Sequence, residues 1–247
     1  MEHVYAVQTA EELTDRQRFI QENWGRIEEY IRFLEQHYAV EDLPRAFVWT
    51  TRAIATRFIS DSPLPAYTND IRVVFDPDLE DWRDIYLAQL DGLPDREEVR
   101  QVRAHDQHGL SRNHVLQIIG HELAHHSELF LDEVYDTEPW FEEGMAEYIS
   151  SRYFLTAAEF EAQVRADRLL VDLLEPRYGR YPLEQFGAET YQRDFAGIFF
   201  DYRRAFLAIC RLADRWNGDI QSVFRACHQW HKAPQGQTLA EYLQIER

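Results

Sequence analysis

The segment His121-Glu122-Leu123-Ala124-His125 holds two histidines four residues apart. On a helix, side chains at positions i and i+4 lie on one face, one turn above the other. Two imidazoles placed in this way can bind a single zinc ion. Glu122 can then reach a water molecule at the metal and act as a general base without binding the metal itself. The pattern indicates metal-assisted hydrolysis, with an ordinary helix carrying surface histidines as the alternative.

A second acidic segment follows at residues 140–148, which read Trp-Phe-Glu-Glu-Gly-Met-Ala-Glu-Tyr. A helix here can fold back against the first one, because the polar segment between them is long enough for a reversal. A catalytic zinc takes three protein ligands and keeps one position open for water. Glu143 and Glu147 are four residues apart, so one can bind the metal while the other hydrogen-bonds a ligand histidine. The alternative is a solvated acidic face.

These two segments together resemble the gluzincin clan of zinc metallopeptidases, which includes the thermolysin-like proteases and the leukotriene-hydrolase-like aminopeptidases. The resemblance rests on His121-Glu-Leu-Ala-His125 and on the downstream pair Glu143-Gly144. In the order of its elements it extends roughly from Ser111 to the C-terminus. It implies a peptidase whose substrate is a peptide or a protein.

The resemblance also implies a role for each site residue. One zinc ion per chain is bound by His121, His125 and Glu143. Glu147 falls where the clan places a carboxylate that hydrogen-bonds a ligand histidine. Glu142 is then a neighbour that faces solvent. The same ligand set would also accept cobalt or manganese.

A tyrosine that stabilises the oxyanion is a further implication of the resemblance. In the aminopeptidase-like branch this tyrosine begins a run of apolar residues that leads to a glycine turn. Tyr202 begins such a run, which ends at Asn217-Gly218, whereas the similar run from Tyr191 lacks the turn. We therefore predict Tyr202 in this role. The alternative is that both are ordinary tyrosines of amphipathic helices, with the ring buried and the hydroxyl hydrogen-bonded.

Two features of the aminopeptidases are missing from this sequence. They are the Gly-x-Met-Glu-Asn segment that grips a free amine and the large N-terminal β-domain. The prediction is therefore an endopeptidase or a small-peptide hydrolase. Two other functions stay open at this point: a non-catalytic zincin-fold protein with a binding or regulatory role, and a zinc hydrolase of non-peptide substrates.

The elements that must position these residues begin with a long helix from Thr9 to about Tyr38, where Thr9 can cap the first turn. Residues 46–51 and 71–75 are rich in β-branched and aromatic side chains and predict strands, with a turn at 61–65 between them. Residues 53–59 predict a third strand at the sheet edge. We expect the strand nearest the active-site helix, which we assign to residues 53–59, to hold an extended substrate as an added strand.

Helices dominate the remainder of the chain. Residues 91–109 predict a loop with a short helix, and Ser111 is a suitable N-cap for a helix that runs through Leu129. Further helices are predicted from about Pro139 and near 156–174, 191–216, 218–231 and 238–245. The predicted fold is α+β and mostly helical. By resemblance it is a minimal zincin-like metalloprotease fold, one domain over 1–247, with an N-terminal helix and sheet part (1–110) and a helical C-terminal lobe (111–247).

Composition limits the other function classes. The formal net charge of −18 argues against nucleic acid and anionic membranes as partners. The longest apolar run, at 195–200, is too short to insert into a membrane. The N-terminus does not resemble a signal peptide, and we expect Cys210 and Cys227 to be free core thiols. A cytoplasmic location is therefore the expectation, and the oligomeric state stays open.

Overall fold

The computed structural model describes residues 1–59, 64–187, 190–233 and 236–245. The predicted turn at 61–65 lies largely outside them. The strands are β1 (Glu2–Ala6), β2 (Ala46–Thr50), β3 (Ala66–Thr68) and β4 (Arg72–Phe75). The helices are α1 (Ala10–His37), α2 (Arg52–Ile54), α3 (Leu79–Ala88), α4 (Glu97–Ala104), α5 (Arg112–Ala124), α6 (Asp132–Tyr135), α7 (Pro139–Phe154), α8 (Ala157–Tyr178), α9 (Phe195–Arg215), α10 (Ile220–Lys232) and α11 (Leu239–Tyr242). The α+β, mostly helical class is confirmed.

The long N-terminal helix α1 forms as the sequence predicted. Thr9 caps it, because its hydroxyl accepts from the Glu12 backbone N–H while the Glu12 carboxylate accepts from the Thr9 backbone N–H. Buried side chains at Phe19, Ile27 and Leu34 form the face that packs into the main core. The helix therefore packs against the sheet and α5 in one shared core.

The sheet has the order β1-β2-β4-β3. β1, β2 and β4 are parallel, and β3 is antiparallel to β4 at the edge of the sheet. The sequence predicted β2 and β4, which are buried and rich in β-branched and aromatic residues. It missed β1 and β3, because each is short and only partly buried and neither alternates clearly between apolar and polar residues.

The edge strand predicted at 53–59 is wrong. This segment forms α2 followed by a π-helical turn over Ala55–Ile59. The Thr51 hydroxyl caps α2 by accepting from the Ile54 N–H, and the buried Asp76 carboxylate accepts from the Arg52 N–H at 2.7 Å. These bonds favour a helical turn, and the strand that lies at the edge is β3.

Helix α5 carries the His-Glu-x-x-His segment through the centre of the molecule. Ser111 caps it as predicted, in a reciprocal arrangement with His114, but the helix ends at Ala124 rather than Leu129. Nearly all of its residues are buried, since it packs against the sheet and α1 on one side and α7 on the other. The main apolar core surrounds it and includes residues of α1, the sheet, α7, α9, α10 and α11.

Two further expectations concern the membrane and the thiols. Among the helices of the described ranges, none is both long and apolar enough to cross a membrane. Cys210 and Cys227 are both buried and unpaired, as predicted.

Candidate metal centre

Three ligand atoms from α5 and α7 converge on one point. The Nε2 atoms of His121 and His125 are 3.1 Å apart, and Glu143 Oε2 lies 3.2 Å from the first and 3.5 Å from the second. All three residues line the same cleft. Among the described residues, they are the one set of histidine, cysteine and acidic side chains whose ligand atoms are mutually close enough to share an ion.

The size of this triangle fits zinc. Ligand atoms at 2.0–2.1 Å from a tetrahedral zinc are about 3.3–3.4 Å from one another. The observed separations of 3.1, 3.2 and 3.5 Å bracket that value. Two imidazole nitrogens and one carboxylate oxygen are also a ligand set that catalytic zinc uses, with a fourth position left for water. The spacing and chemistry of these three residues therefore fit a zinc ion.

Each ligand histidine has its own carboxylate on the opposite ring nitrogen. His121 Nδ1 lies 3.0 Å from Glu147 Oε2, as the resemblance implied. His125 Nδ1 lies 2.7 Å from Glu142 Oε1. The expectation that Glu142 faces solvent is wrong, because only 16% of its side chain is exposed. An Nδ1–H donated to a carboxylate fixes the ring orientation and leaves Nε2 free to bind the metal.

Charge in the metal-free centre is shared between histidines and carboxylates. Burial opposes protonation of His121, but its hydrogen bonds to Glu143 and Glu147 outweigh burial and raise its pKa to about 9. The pKa of His125 is also raised, since Glu143 and Glu142 outweigh its burial. Glu143 responds in the opposite direction: the two imidazoles outweigh burial and hold its pKa far below the usual range. The carboxylates around the two imidazoles therefore favour positive charge at this cluster, as protons or as a metal ion.

Glu122 lies beside the triangle without joining it. Its side chain lines the cleft and is buried to 9% exposure. Burial raises its pKa, although the nearby His121 and His125 cations oppose the rise. A raised pKa suits a general base, because the group then holds a proton strongly enough to take it from water near neutral pH.

Tyr202 lies at the edge of the centre, as predicted. Its ring centroid is 6.2 Å from that of His121 and 5.1 Å from that of Phe186, and it lines the cleft. The backbone of Tyr191 belongs to a short 3-10 turn over Thr190–Gln192, and its side chain is outside the described part of the structure. The position of Tyr202 is therefore compatible with a contact to substrate at the metal.

Two glycines allow the ligand helices to pack closely. A Cβ on Gly120 would lie 2.7 Å from the Phe154 ring, so this glycine lets α5 approach α7. A Cβ on Gly144 would lie 2.7 Å from the Ala205 carbonyl oxygen, so α7 meets the backbone of α9 directly behind Glu143. These contacts fix the spacing between the histidines on α5 and the glutamate on α7.

The cleft in front of the metal has a volume of about 470 Å³. One wall is β3 with the two residues that follow it, and another is aromatic, formed by Trp82, Tyr86 and Phe199. Sequence reasoning missed these walls because β3 and α3 were not predicted. The remaining side chains that line the cleft are Leu64, Ile118, His126 and Tyr135, together with the site residues already described.

The other histidines near this region have structural positions. His126 is half-buried, and its Nε2 lies 2.7 Å from the Thr68 hydroxyl, which ties α5 to β3. His114 is buried in the cap of α5, where burial lowers its pKa to about 4. His105 and His108 lie in a π-helical turn, and neither is among the residues that line the cleft.

Comparison with known proteins identifies no family for this chain. No protein-family model, no curated protein and no solved structure matches the chain.

Proposed function

We propose that this protein is a zinc-dependent peptidase with a minimal zincin-like fold. The observation that supports it most is the triangle of His121 Nε2, His125 Nε2 and Glu143 Oε2, at tetrahedral spacing in an open cleft. Glu122 beside this triangle favours catalysis over a structural zinc, because a structural site uses four ligands and has no need of a base. The resemblance to the gluzincin clan remains part of the proposal.

His121, His125 and Glu143 would hold the zinc. When bound, zinc supplies the Lewis acidity that lowers the pKa of water and polarises a carbonyl. The Glu122 carboxylate takes a proton from the attacking water, whose oxygen forms a bond with the scissile carbonyl carbon. As the carbon–nitrogen bond breaks, Glu122 passes that proton to the leaving amine. Tyr202 donates a hydrogen bond to the carbonyl oxygen as negative charge develops on it.

The edge strand β3 offers a way to bind the substrate backbone. Asn69 and Arg72 exchange both backbone hydrogen bonds, at 3.1 and 3.2 Å, and Pro65 accepts from the Asp76 N–H. Since alternate residues of an antiparallel strand point opposite ways, the N–H and C=O groups of Ala66 and Thr68 point away from β4. An extended peptide can pair with them as an added strand in front of the metal.

Metal content is the first test of the proposal. Protein purified without a histidine tag and analysed by elemental mass spectrometry should contain about one zinc per chain. His125→Ala should lose the zinc, whereas His108→Ala, which removes an exposed histidine outside the cleft, should keep it. Absence of metal from all three proteins, even after zinc is supplied and the excess removed, would contradict the metal centre.

A peptide-library digest read by mass spectrometry tests the reaction itself. Zinc-loaded wild type should produce new peptide termini, and the His125→Ala variant should produce none. Full zinc occupancy without cleavage of any peptide would reject the peptidase. It would leave a non-catalytic zinc protein or a hydrolase of other substrates.

A further inference from the structure

The cleft has two chemically different walls. On the aromatic wall, the Tyr86 ring packs against Phe199 with 5.5 Å between centroids. On the wall formed by β3, the Thr68 hydroxyl lies 2.7 Å from His126 Nε2, and Asp70 follows two residues later in the chain. Both walls line the cleft that holds His121, His125 and Glu143.

The charge of the cleft is strongly negative. Five carboxylates line it, and no lysine or arginine does so in the part of the chain that the structure describes. The carboxylates are Asp70, Glu122, Glu142, Glu143 and Glu147. A bound zinc dication neutralises fewer than half of them. A substrate group that enters here therefore meets a negative potential in a confined space.

Asp70 differs from the other four carboxylates. Glu143 belongs to the metal triangle, Glu142 and Glu147 are hydrogen-bonded to the ligand histidines, and Glu122 is the buried base. Asp70 is exposed and forms no ion pair with any described residue. It stands at the end of β3, along the path that an added peptide strand would follow. It is therefore the cleft carboxylate placed to meet substrate rather than the centre itself.

The cleft carries a further aromatic ring outside the aromatic wall. Tyr135 lines the cleft and is 38% exposed. It belongs to α6, in the segment that links the end of α5 to the start of α7. A cleft lined by both an aromatic ring and carboxylates favours ammonium and guanidinium groups, because ring faces and carboxylates both attract positive charge.

We infer that Asp70 is a specificity determinant that binds a cationic group of the substrate at the β3 wall of the cleft. This inference rests on the proposed peptidase function. The cation has two chemical sources in a peptide: the side chain of lysine or arginine, and the free N-terminal ammonium. In both cases the Asp70 carboxylate accepts charge-assisted hydrogen bonds.

Matched peptides test the inference on zinc-loaded full-length protein. Peptides cut in the library digest are remade with lysine, norleucine or glutamate at each position around the cut, each with a free or an acetylated N-terminus. Wild type should prefer the cationic member of each set.

Asp70→Asn should lower the ratio of kcat/KM between cationic and norleucine peptides roughly 10- to 100-fold. Asp70→Lys should shift the preference to glutamate, and Asp91→Asn, at an exposed site outside the cleft, should keep the wild-type ratio.

Comparison of peptides with free and acetylated N-termini separates the two possible cations, the N-terminal ammonium and a basic side chain. A preference that disappears on acetylation assigns the N-terminal ammonium, and one that persists assigns a basic side chain. Equal ratios in wild type and Asp70→Asn would overturn the inference while the peptidase stands. Binding of library peptides that contain lysine or norleucine to zinc-loaded Glu122→Gln protein, with and without Asp70→Asn, provides a readout without turnover. If wild type cleaves no peptide but binding of the lysine peptides depends on Asp70, the inference stands and the peptidase is rejected. Binding that does not depend on Asp70 would overturn the inference.

Discussion

At the residue scale, the proposed role of Glu122 as a general base can be tested by a single substitution. Glu122→Gln preserves the shape of the side chain but cannot accept a proton, so we expect zinc content to be unchanged. Turnover should fall roughly 10²- to 10⁴-fold, the usual contribution of a general base. Elemental analysis and steady-state kinetics on a cleaved peptide measure both. Glu133→Gln, at an exposed position of α6, is the matched control. Wild-type turnover in Glu122→Gln would remove the base assignment.

Tyr202 is the second residue whose role can be tested alone. Tyr202→Phe removes the hydroxyl and keeps the ring, so its packing against Phe186 should survive. Loss of one oxyanion donor typically lowers kcat about 10²- to 10³-fold. We expect that loss with little change in KM or zinc content. Tyr191→Phe is the comparison, and a larger loss in that variant would move the role to Tyr191.

The sequence predicted which residues of the candidate metal centre come together where that depends on spacing along one helix. His121, Glu122 and His125 follow from that spacing, and Glu143 and Glu147 from the next helix. The sequence did not predict that Glu142 contacts His125, or that Asp70 lines the cleft. The partner of Glu142 is set by how α7 rotates against α5, and the position of Asp70 by the turn after β3. Both depend on tertiary packing that a local pattern does not contain.

At the scale of elements, the contact between α7 and α9 controls the metal centre. Gly144→Ala should place a methyl group against the Ala205 carbonyl oxygen and Ile209. Forcing extra volume into such a contact costs about 1–3 kcal/mol, and α7 must shift to relieve it. We expect a lower free energy of unfolding in chemical denaturation and weaker zinc binding, because Glu143 moves with α7.

Gly25→Ala is the control for this prediction. Gly25 lies within α1, and a Cβ there would meet nothing within 4 Å. Alanine is favoured over glycine inside a helix by about 1 kcal/mol, so this variant should be slightly more stable and should bind zinc normally. A Gly144→Ala protein as stable as Gly25→Ala would contradict the close packing of α7 and α9.

Helices were predicted better than strands because their signals are local. Thr9 and Ser111 mark helix starts through caps that form within four residues. Strand β3 is only three residues long, and it is held by pairing with β4 rather than by its own pattern. The segment 53–59 has suitable strand composition, yet its side-chain and backbone bonds to Thr51 and Asp76 make it helical. The edge of the sheet was therefore assigned to the wrong segment.

At the scale of the whole molecule, zinc binding and stability should both depend on pH through the ligand histidines. The pKa of His121 is about 9 in the folded metal-free protein and near 6.5 when unfolded. Its protonation therefore stabilises the metal-free fold fully below pH 6.5, and this stabilisation is lost as the pH rises through about 9. Zinc must displace this proton and the one on His125, whose pKa is also raised, so its affinity should rise about tenfold per pH unit for each proton displaced over this range.

Zinc titration against a chelator of known pH dependence, between pH 6.5 and 9, checks the affinity. Thermal unfolding checks the stability, and the difference in Tm between zinc-bound and metal-free protein should widen as the pH rises. A zinc affinity that is constant across this range would show that no proton is displaced at the centre.

The free edge of β3 has a consequence for the protein in concentrated solution. An unpaired strand edge accepts any extended chain, including a strand of another copy, and so invites aggregation. Two features oppose this outcome. The edge is three residues long, and every copy carries a net charge of −18, which repels others at a distance. High salt or acid pH removes the second protection, so colloidal stability should fail under those conditions before the fold does.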